Sequence, residues 1–430
     1  MIKTIAFIIL LFSGNLVFGQ EYLITDSLQQ HYDFINWNAN KIKHADSVVA
    51  FQKLYQKLDN IYKNNDENLH VFHIGGSHIQ ADFYSNRLRH YLQNMSDNSK
   101  GQRGFIYPYR MAKTNNPPNY KVTFDGEWKG YRCSRTDSVA WGLSGVSAKF
   151  TDSISNITIK ANHRNYSENM YDFNKFRIFY NEWSDDYDVM VANDSLAVSK
   201  TRNSEAHFIE FTLNTTVTEL DICIKKTTDS SDSEFLMMGL ELMNDNSGIE
   251  YTTIGVNGAS FAFYNRAAYF EQQLLLYKPD LFIISIGTND TYTLHFNAAQ
   301  YKTYYEQMIL SIQKANPDCA ILLTVPNDSY YKKQFANPNT KVAAKVIYEL
   351  SEQYHMAVWD FYEIMGGYVS SQKWYNNKLM PKDRIHFTRK GYNIKADLLL
   401  QALVHAWEQE MNYKPNSILN HIIKKDDSIE

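Results

Sequence analysis

The sequence predicts an α/β protein, a parallel sheet covered by helices on both faces, interrupted by an inserted β-sandwich domain. Three observations lead there. From residue 250 onward, strand-like apolar runs at 251–254, 281–286, 320–325 and 356–360 alternate with helical stretches at 261–277, 298–314, 340–354 and 389–409. Alternating strands and helices of this kind close into a parallel sheet with helices on its two faces. One further unit of the same texture stands far upstream, the run Val71–Ile74 followed by a helical pattern over Gln80–Gln93. Between them, from about 119 to 248, apolar and polar residues alternate with period two at Ile157/Ile159, Phe211/Leu213, Leu220/Ile222/Ile224 and Leu240/Leu242. Short period-two runs separated by Gly, Asn, Asp and Ser clusters are the pattern of a sandwich.

Taken in chain order, residues 1–19 read as a signal peptide, with Lys3 as the positive start, Ile5–Phe12 as an apolar stretch too short to span a bilayer, and Val17 and Gly19 as the small residues before cleavage at Gln20. The mature protein is expected to be exported, periplasmic or extracellular, and soluble. Residues 46–63 carry Val48, Phe51, Leu54, Tyr55, Leu58 and Ile61 at amphipathic helical spacing. The expected division is 20–105 for the first part of the α/β domain, 106–248 for the insertion, 249–410 for the second part, and 411–430 for a polar, loosely packed tail.

Composition excludes several classes. A formal net charge of −4 over 430 residues leaves no basic field for nucleic acid. No run beyond the leader reaches the length of a membrane helix. Cys133, Cys223 and Cys319 are too few for a disulfide framework; the first two could pair or stay free. No Cys or His cluster has zinc-ligand spacing. Aromatic residues reach 14%. They suit carbohydrate contacts, but solvent-facing sheet tyrosines are the plainer reading. Trp128, Tyr131 and Trp183 are candidate ligand-facing residues of the insertion.

Ligands of an open parallel sheet bind beyond the carboxyl ends of its strands. The residues found there are Gly75-Gly76-Ser77-His78 after the first strand, Gly255-Val256-Asn257-Gly258-Ala259 after the second, and Gly287-Thr288-Asn289-Asp290 after the third. Asp383-Arg384-Ile385-His386 precedes the last helix, with Thr388 as its expected N-cap. Together they suit acyl transfer. Ser77 needs a base to act as a nucleophile. His386 can be that base, and Asp383 can hold its tautomer. The N–H groups of Ser77 and Gly258 and the amide of Asn289 can receive the oxyanion. His73 reads as a satisfied core histidine, and His78 as a residue that positions the loop.

These four segments resemble the consensus blocks of the SGNH (GDSL-type) hydrolase superfamily: "GGSHIQAD" with Ser77, "GVNGAS" with Gly258, "GTND" with Asn289, and "DRIH" with Asp383 and His386. The likeness spans about 70–100 and 250–410. The β-rich insertion is similar to that of peptidoglycan O-acetylesterases, in which a carbohydrate-binding-module-like sandwich interrupts a flavodoxin-like three-layer domain. The resemblance implies a serine esterase that releases acetyl groups from an acetylated glycan without metal or cofactor. One position departs from it. Gly76 stands where the family carries an aspartate that braces the nucleophile loop, leaving Asp82, Asp290 and Asn257 as possible braces. A glycan-binding protein on a decayed scaffold, and a lipase or thioesterase of the same superfamily, are the alternative readings.

Overall fold

The computed structural model describes residues 26–45, 49–135, 139–163, 170–181 and 186–427. The leader expected at 1–19 lies outside the described residues, as does Trp183. Among the described residues no helix is long and apolar enough to cross a membrane.

A six-stranded sheet runs in the order Ile42–His44, Ala357–Trp359, Ala320–Thr324, Leu281–Ser285, Asn68–Gly75, Gly248–Gly255. All neighbours are parallel except the short edge strand Ile42–His44, which pairs antiparallel with Ala357–Trp359 and which no sequence pattern announced. Side chains alternate between faces along a strand. Leu69, Val71, Leu281, Ile283, Ala320 and Leu322 enter one core, against the helices Val49–Tyr62, Tyr84–Gln93 and Arg389–Glu410. Phe72, Ile74, Phe282, Ile284, Ile321 and Leu323 enter the other, against Ala298–Ala315 and Asn339–Tyr354. Burial on both faces is why these strands read as unbroken apolar runs.

The insertion is a sandwich of two antiparallel sheets. The larger runs Ala197–Asn203, Phe208–Val217, Phe173–Tyr180, Phe235–Met243, Val146–Phe150, Trp128–Arg132, with Gly104–Ile106 also paired to Phe235–Met243. The smaller runs Lys121–Phe124, Ile154–Lys160, Glu219–Lys226, Tyr187–Val191. Ile157, Ile159, Phe211, Leu213, Leu220, Ile222, Ile224, Leu240 and Leu242 all meet in the core between them. The larger sheet is covered on its other face as well. Met238, Phe105, Phe179 and Phe208 join the α/β core that holds Phe72 and Ile74. Gly239 belongs to this contact: a Cβ there would stand 2.2 Å from the Phe105 ring.

Several expectations are corrected. Helical pattern over 261–277 resolves into two short helices, Phe261–Tyr264 and Phe270–Leu274. The chain breaks between them where the Tyr269 N–H is taken by the Trp141 carbonyl of the insertion. The helix expected over Gln80–Gln93 begins at Ser77, breaks after Gln80, and resumes at Tyr84. Asp82 at the break has φ +50°, and its buried carboxylate accepts from Ser85, Arg89 and Asn119. Such local acceptors compete with the helix for the backbone. The tail after 411 is not loose: Ser417–Asp427 is a helix whose Ile418, Leu419 and Ile422 are buried in the first core. Three apolar residues at i, i+1 and i+4 suffice to dock it, which its polar composition concealed. Nor are the tyrosines generally solvent-facing; Tyr84, Tyr107, Tyr251, Tyr264 and Tyr305 rank among the largest fully buried side chains. Trp128 is core too, stacked on Phe150 with its indole N–H on Ser155. The three cysteines are free.

Candidate active site

Ser77 is the first residue of a one-turn helix at the carboxyl end of Asn68–Gly75, so its N–H has no acceptor within that helix. Gly75 is needed for this turn. A Cβ on it would lie 2.3 Å from Ile79 Cγ1 and 2.9 Å from the Ser285 carbonyl oxygen.

The chain brings His386 to Ser77 across 309 positions, with Nε2 2.9 Å from Ser77 Oγ. His386 Nδ1 lies 2.8 Å from Asp383 Oδ2. Asp383 Oδ1 accepts the N–H groups of Ile385 and His386 at 2.9 and 3.1 Å. Arg384 between them has φ +53°, which folds the turn back so that one carboxylate reaches both backbone donors and the imidazole. Burial opposes ionisation of Asp383, but the hydrogen bonds from His386 and the two N–H groups prevail and hold its carboxyl at about 2. A permanent carboxylate on Nδ1 fixes that proton and leaves Nε2 as an acceptor for the serine hydroxyl. Thr388 caps the following helix, accepting from the Gly391 N–H.

Gly258 has φ +81°, a conformation glycine adopts without strain. The peptide that carries its N–H and the peptide before it are each held by a hydrogen bond. Ser134 Oγ, from the insertion, donates to the Asn257 carbonyl at 2.9 Å, and the Asn257 N–H donates to Gln80 Oε1 at 2.7 Å. Gln80 is held in turn by Thr114 and Asn115. Asn289 Nδ2 donates to the Ala259 carbonyl at 2.8 Å and stands 3.1 Å from where a Gly76 Cβ would be. Gly76, Ala259 and Asn289, with Tyr292 and Ile385, wall a pocket of about 160 Å³ that opens on Ser77 and His386.

An aspartate at 76 would therefore face Asn289. Without it, the loop is braced from the Gly75 carbonyl, which accepts the Tyr264 hydroxyl at 2.8 Å and the Val256 N–H at 3.2 Å. The three suggested braces act elsewhere. Asp82 secures the helix break, Asp290 accepts the Phe261 N–H, and Asn257 bonds Thr114 and Asn115. Tyr264 and Ser134 carry no local signature and are invisible until the fold assembles them. Gln80 lies inside the motif itself, yet only its partner at 257 reveals its role.

The other two histidines are accounted for. His73 is fully buried, bonded to Tyr251, Ser285 and Tyr84; burial, then the charges of Lys395 and Arg89, push its pKa well below the usual value. His78 bonds the Tyr392 hydroxyl at 2.9 Å, and burial, with Lys395 and His386 nearby, lowers it likewise. Both are neutral supports. Among the described residues no three His, Cys, Asp or Glu side chains cluster as a metal ion requires.

Residues 228–394 match the model of the GDSL-like Lipase/Acylhydrolase family. Over that segment the chain is similar to GDSL-like lipases and acylhydrolases. The matched segment holds Gly258, Asn289, Asp383 and His386, while Ser77 lies upstream of it. A solved structure described as "Peptidoglycan O-acetylesterase in action, 5 min" is similar at TM-score 0.67 and 20% identity, over 86% of this chain and 99% of that one. An acetyl xylan esterase, AlAXEase, is similar over 37% of this chain and 83% of its own at 19% identity and TM-score 0.30. A catalytic mutant of the acetylxylan esterase Axe2 from Geobacillus stearothermophilus covers 37% of this chain and 74% of its own at 21% identity and TM-score 0.30. No curated protein matches the sequence. The chain shares the three-layer α/β fold of the first of these structures and carries an added β-rich unit.

Proposed function

We propose that the protein is an exported serine esterase that removes O-acetyl groups from a carbohydrate polymer, with Ser77, His386 and Asp383 as its catalytic residues. The observation that carries this reading is the unbroken relay Ser77 Oγ–His386 Nε2, His386 Nδ1–Asp383 Oδ2 at the mouth of the small pocket. Ser77 Oγ attacks the ester carbonyl as His386 Nε2 takes its proton. The negative charge that forms on the carbonyl oxygen is received by the Ser77 and Gly258 N–H groups and Asn289 Nδ2. Collapse expels the sugar hydroxyl, which takes the proton back from His386 and leaves acetyl-Ser77. Water, deprotonated by His386, then releases acetate and restores the serine.

Pocket size favours a short acyl group. About 160 Å³ is well under the roughly 300–1,000 Å³ of pockets that enclose drug-sized ligands, so the pocket fits an acetyl group better than a long acyl chain. The likeness to a peptidoglycan O-acetylesterase extends through the insertion, which supports a polymeric glycan as substrate. Export rests on the leader pattern of residues 1–19. The test is acetate release from 4-nitrophenyl acetate and from a panel of acetylated glycans. Ser77→Ala should lower kcat by at least about a thousandfold with an unchanged thermal midpoint. Undiminished turnover in that variant removes the mechanism, and a preference for butyryl or longer esters removes the acetyl assignment.

A further inference from the structure

The segment after Ala320–Thr324 rises beside the pocket and folds into a small hairpin, Tyr330–Tyr331 paired with Phe335–Ala336. Its two faces differ. Tyr330 and Ala336 are opposite one another on the inner face. Ala336 is buried there, and the Tyr330 ring lies under the Arg384 guanidinium, 3.9 Å from its centroid. Arg384 also donates to the Lys333 carbonyl and to Gln372, and its own carbonyl takes the Tyr330 N–H. A two-stranded hairpin is marginal by itself; this one is fixed to the Asp383–His386 segment.

The outer face carries Tyr331 and Phe335, directly opposite in register, with ring centroids 5.6 Å apart. Tyr331 is 5.0 Å from the Tyr292 ring, and the Tyr292 hydroxyl accepts the Lys332 N–H. Tyr292 is itself a wall of the pocket that holds Ser77. Three rings thus lead outward from the acyl pocket, and the last of them, Phe335, is 44% exposed. Exposed apolar side chains occur elsewhere on the chain; what sets this one apart is that it continues, through Tyr331, a row of rings that begins in the pocket wall.

Resting on the glycan reading above, we infer that Tyr292, Tyr331 and Phe335 form a sugar-stacking subsite for the pyranose rings that flank the acetylated one. An aromatic face carries negative quadrupole charge, and the axial C–H groups on one side of a pyranose offer the complementary positive, apolar surface. The subsite lies on the side of the pocket away from Gly258 and Ser134, so the polymer runs across the strand ends with its acetyl group down at Ser77.

The test uses the full chain in two settings. In the inactive Ser77→Ala background, calorimetry with chitohexaose and xylohexaose compares the parent with a variant that also carries Tyr331→Ala and Phe335→Ala. Expected is at least a tenfold weaker Kd for whichever hexasaccharide the parent binds, with Trp at both positions restoring it. In the active enzyme, Tyr331→Ala/Phe335→Ala should lower the ratio of kcat/KM for acetylated oligosaccharide to kcat/KM for 4-nitrophenyl acetate about tenfold. Equal sugar affinity in parent and variant, or an unchanged ratio, overturns the subsite alone. Hydrolysis of 4-nitrophenyl acetate by a wild type that neither binds these sugars nor deacetylates any glycan overturns the glycan reading, and the subsite with it.

Discussion

Asp290, next to the candidate oxyanion donor Asn289, has one carboxylate oxygen on the Phe261 N–H and the other buried without a partner. Burial drives its pKa from 3.8 up to about 7, against smaller opposing hydrogen bonds. In the unfolded chain it ionises near its ordinary value; in the native protein it stays protonated until about pH 7. The native state is therefore penalised progressively as pH rises from about 4 to 7, and by a constant amount above that. Asp290→Asn keeps the acceptor for Phe261 and removes the ionisable group. It should leave the thermal midpoint unchanged at pH 4 and raise stability at pH 8 by on the order of 3 kcal/mol, read from denaturant unfolding at the two pH values. Equal effects at both would mean the carboxyl is charged in the native state. Asp383 is the opposite case. Held near 2, it stays a carboxylate throughout the working range, so its removal matters at every pH. Asp383→Asn should lower kcat roughly 10³–10⁴-fold, as steady-state rates on 4-nitrophenyl acetate would show.

At the scale of elements, the insertion reaches the candidate site through Thr114 and Asn115, which hold Gln80 and Asn257, and through the turn at Ser134. Arg266 donates to the Cys133 and Arg135 carbonyls and holds the turn between them; from it Ser134 fixes the Asn257–Gly258 peptide. Losing an oxyanion donor outright costs about 2.7–4 kcal/mol of barrier; losing only its alignment costs less. Ser134→Ala should lower kcat about tenfold with KM and thermal midpoint little changed, and Ser134→Thr should recover most of it. A rise in KM and a loss of stability with kcat unchanged would mark Ser134 as merely structural. This turn also shows where sequence reading stops. Val71–Ile74, 281–286 and 320–325 were legible as strands because burial on both faces leaves a continuous apolar run. The Ser77, Gly258, Asn289 and Asp383/His386 positions were legible because strand ends carry the ligands of such sheets. The break inside 261–277 was not, since it is made by the Trp141 carbonyl, more than a hundred residues away. The docked helix at Ser417–Asp427 escaped for a related reason: its three anchoring residues gain meaning only against a surface formed by other segments.

At the scale of the whole molecule, the described residues form two apolar cores in the α/β layers and a third in the sandwich, but the boundary between them is not a polar seam. Met238, Phe179 and Phe208 of the larger sandwich sheet share a core with Phe72, Ile254 and Phe282 of the parallel sheet. Interfaces between independent domains are ordinarily more polar and let the domains move or melt separately. Here the insertion is fixed at further points: Tyr109 donates to the Gly255 carbonyl at 2.7 Å, Tyr171 to Gln93 at 2.6 Å, and the Leu143 N–H to Gln273. Unfolding the sandwich would bare the apolar face over Phe72 and Ile74 and release the turn that holds Gly258. The full chain should therefore melt in a single calorimetric transition, with loss of esterase activity and loss of sandwich β-structure at the same temperature. A large-to-small change at the shared contact, Met238→Ala, should destabilise by about 2–5 kcal/mol and lower that one transition as a whole. Two resolved transitions, or a shift confined to one of them, would make the sandwich an appended module whose packing on the hydrolase layers carries no cooperative weight.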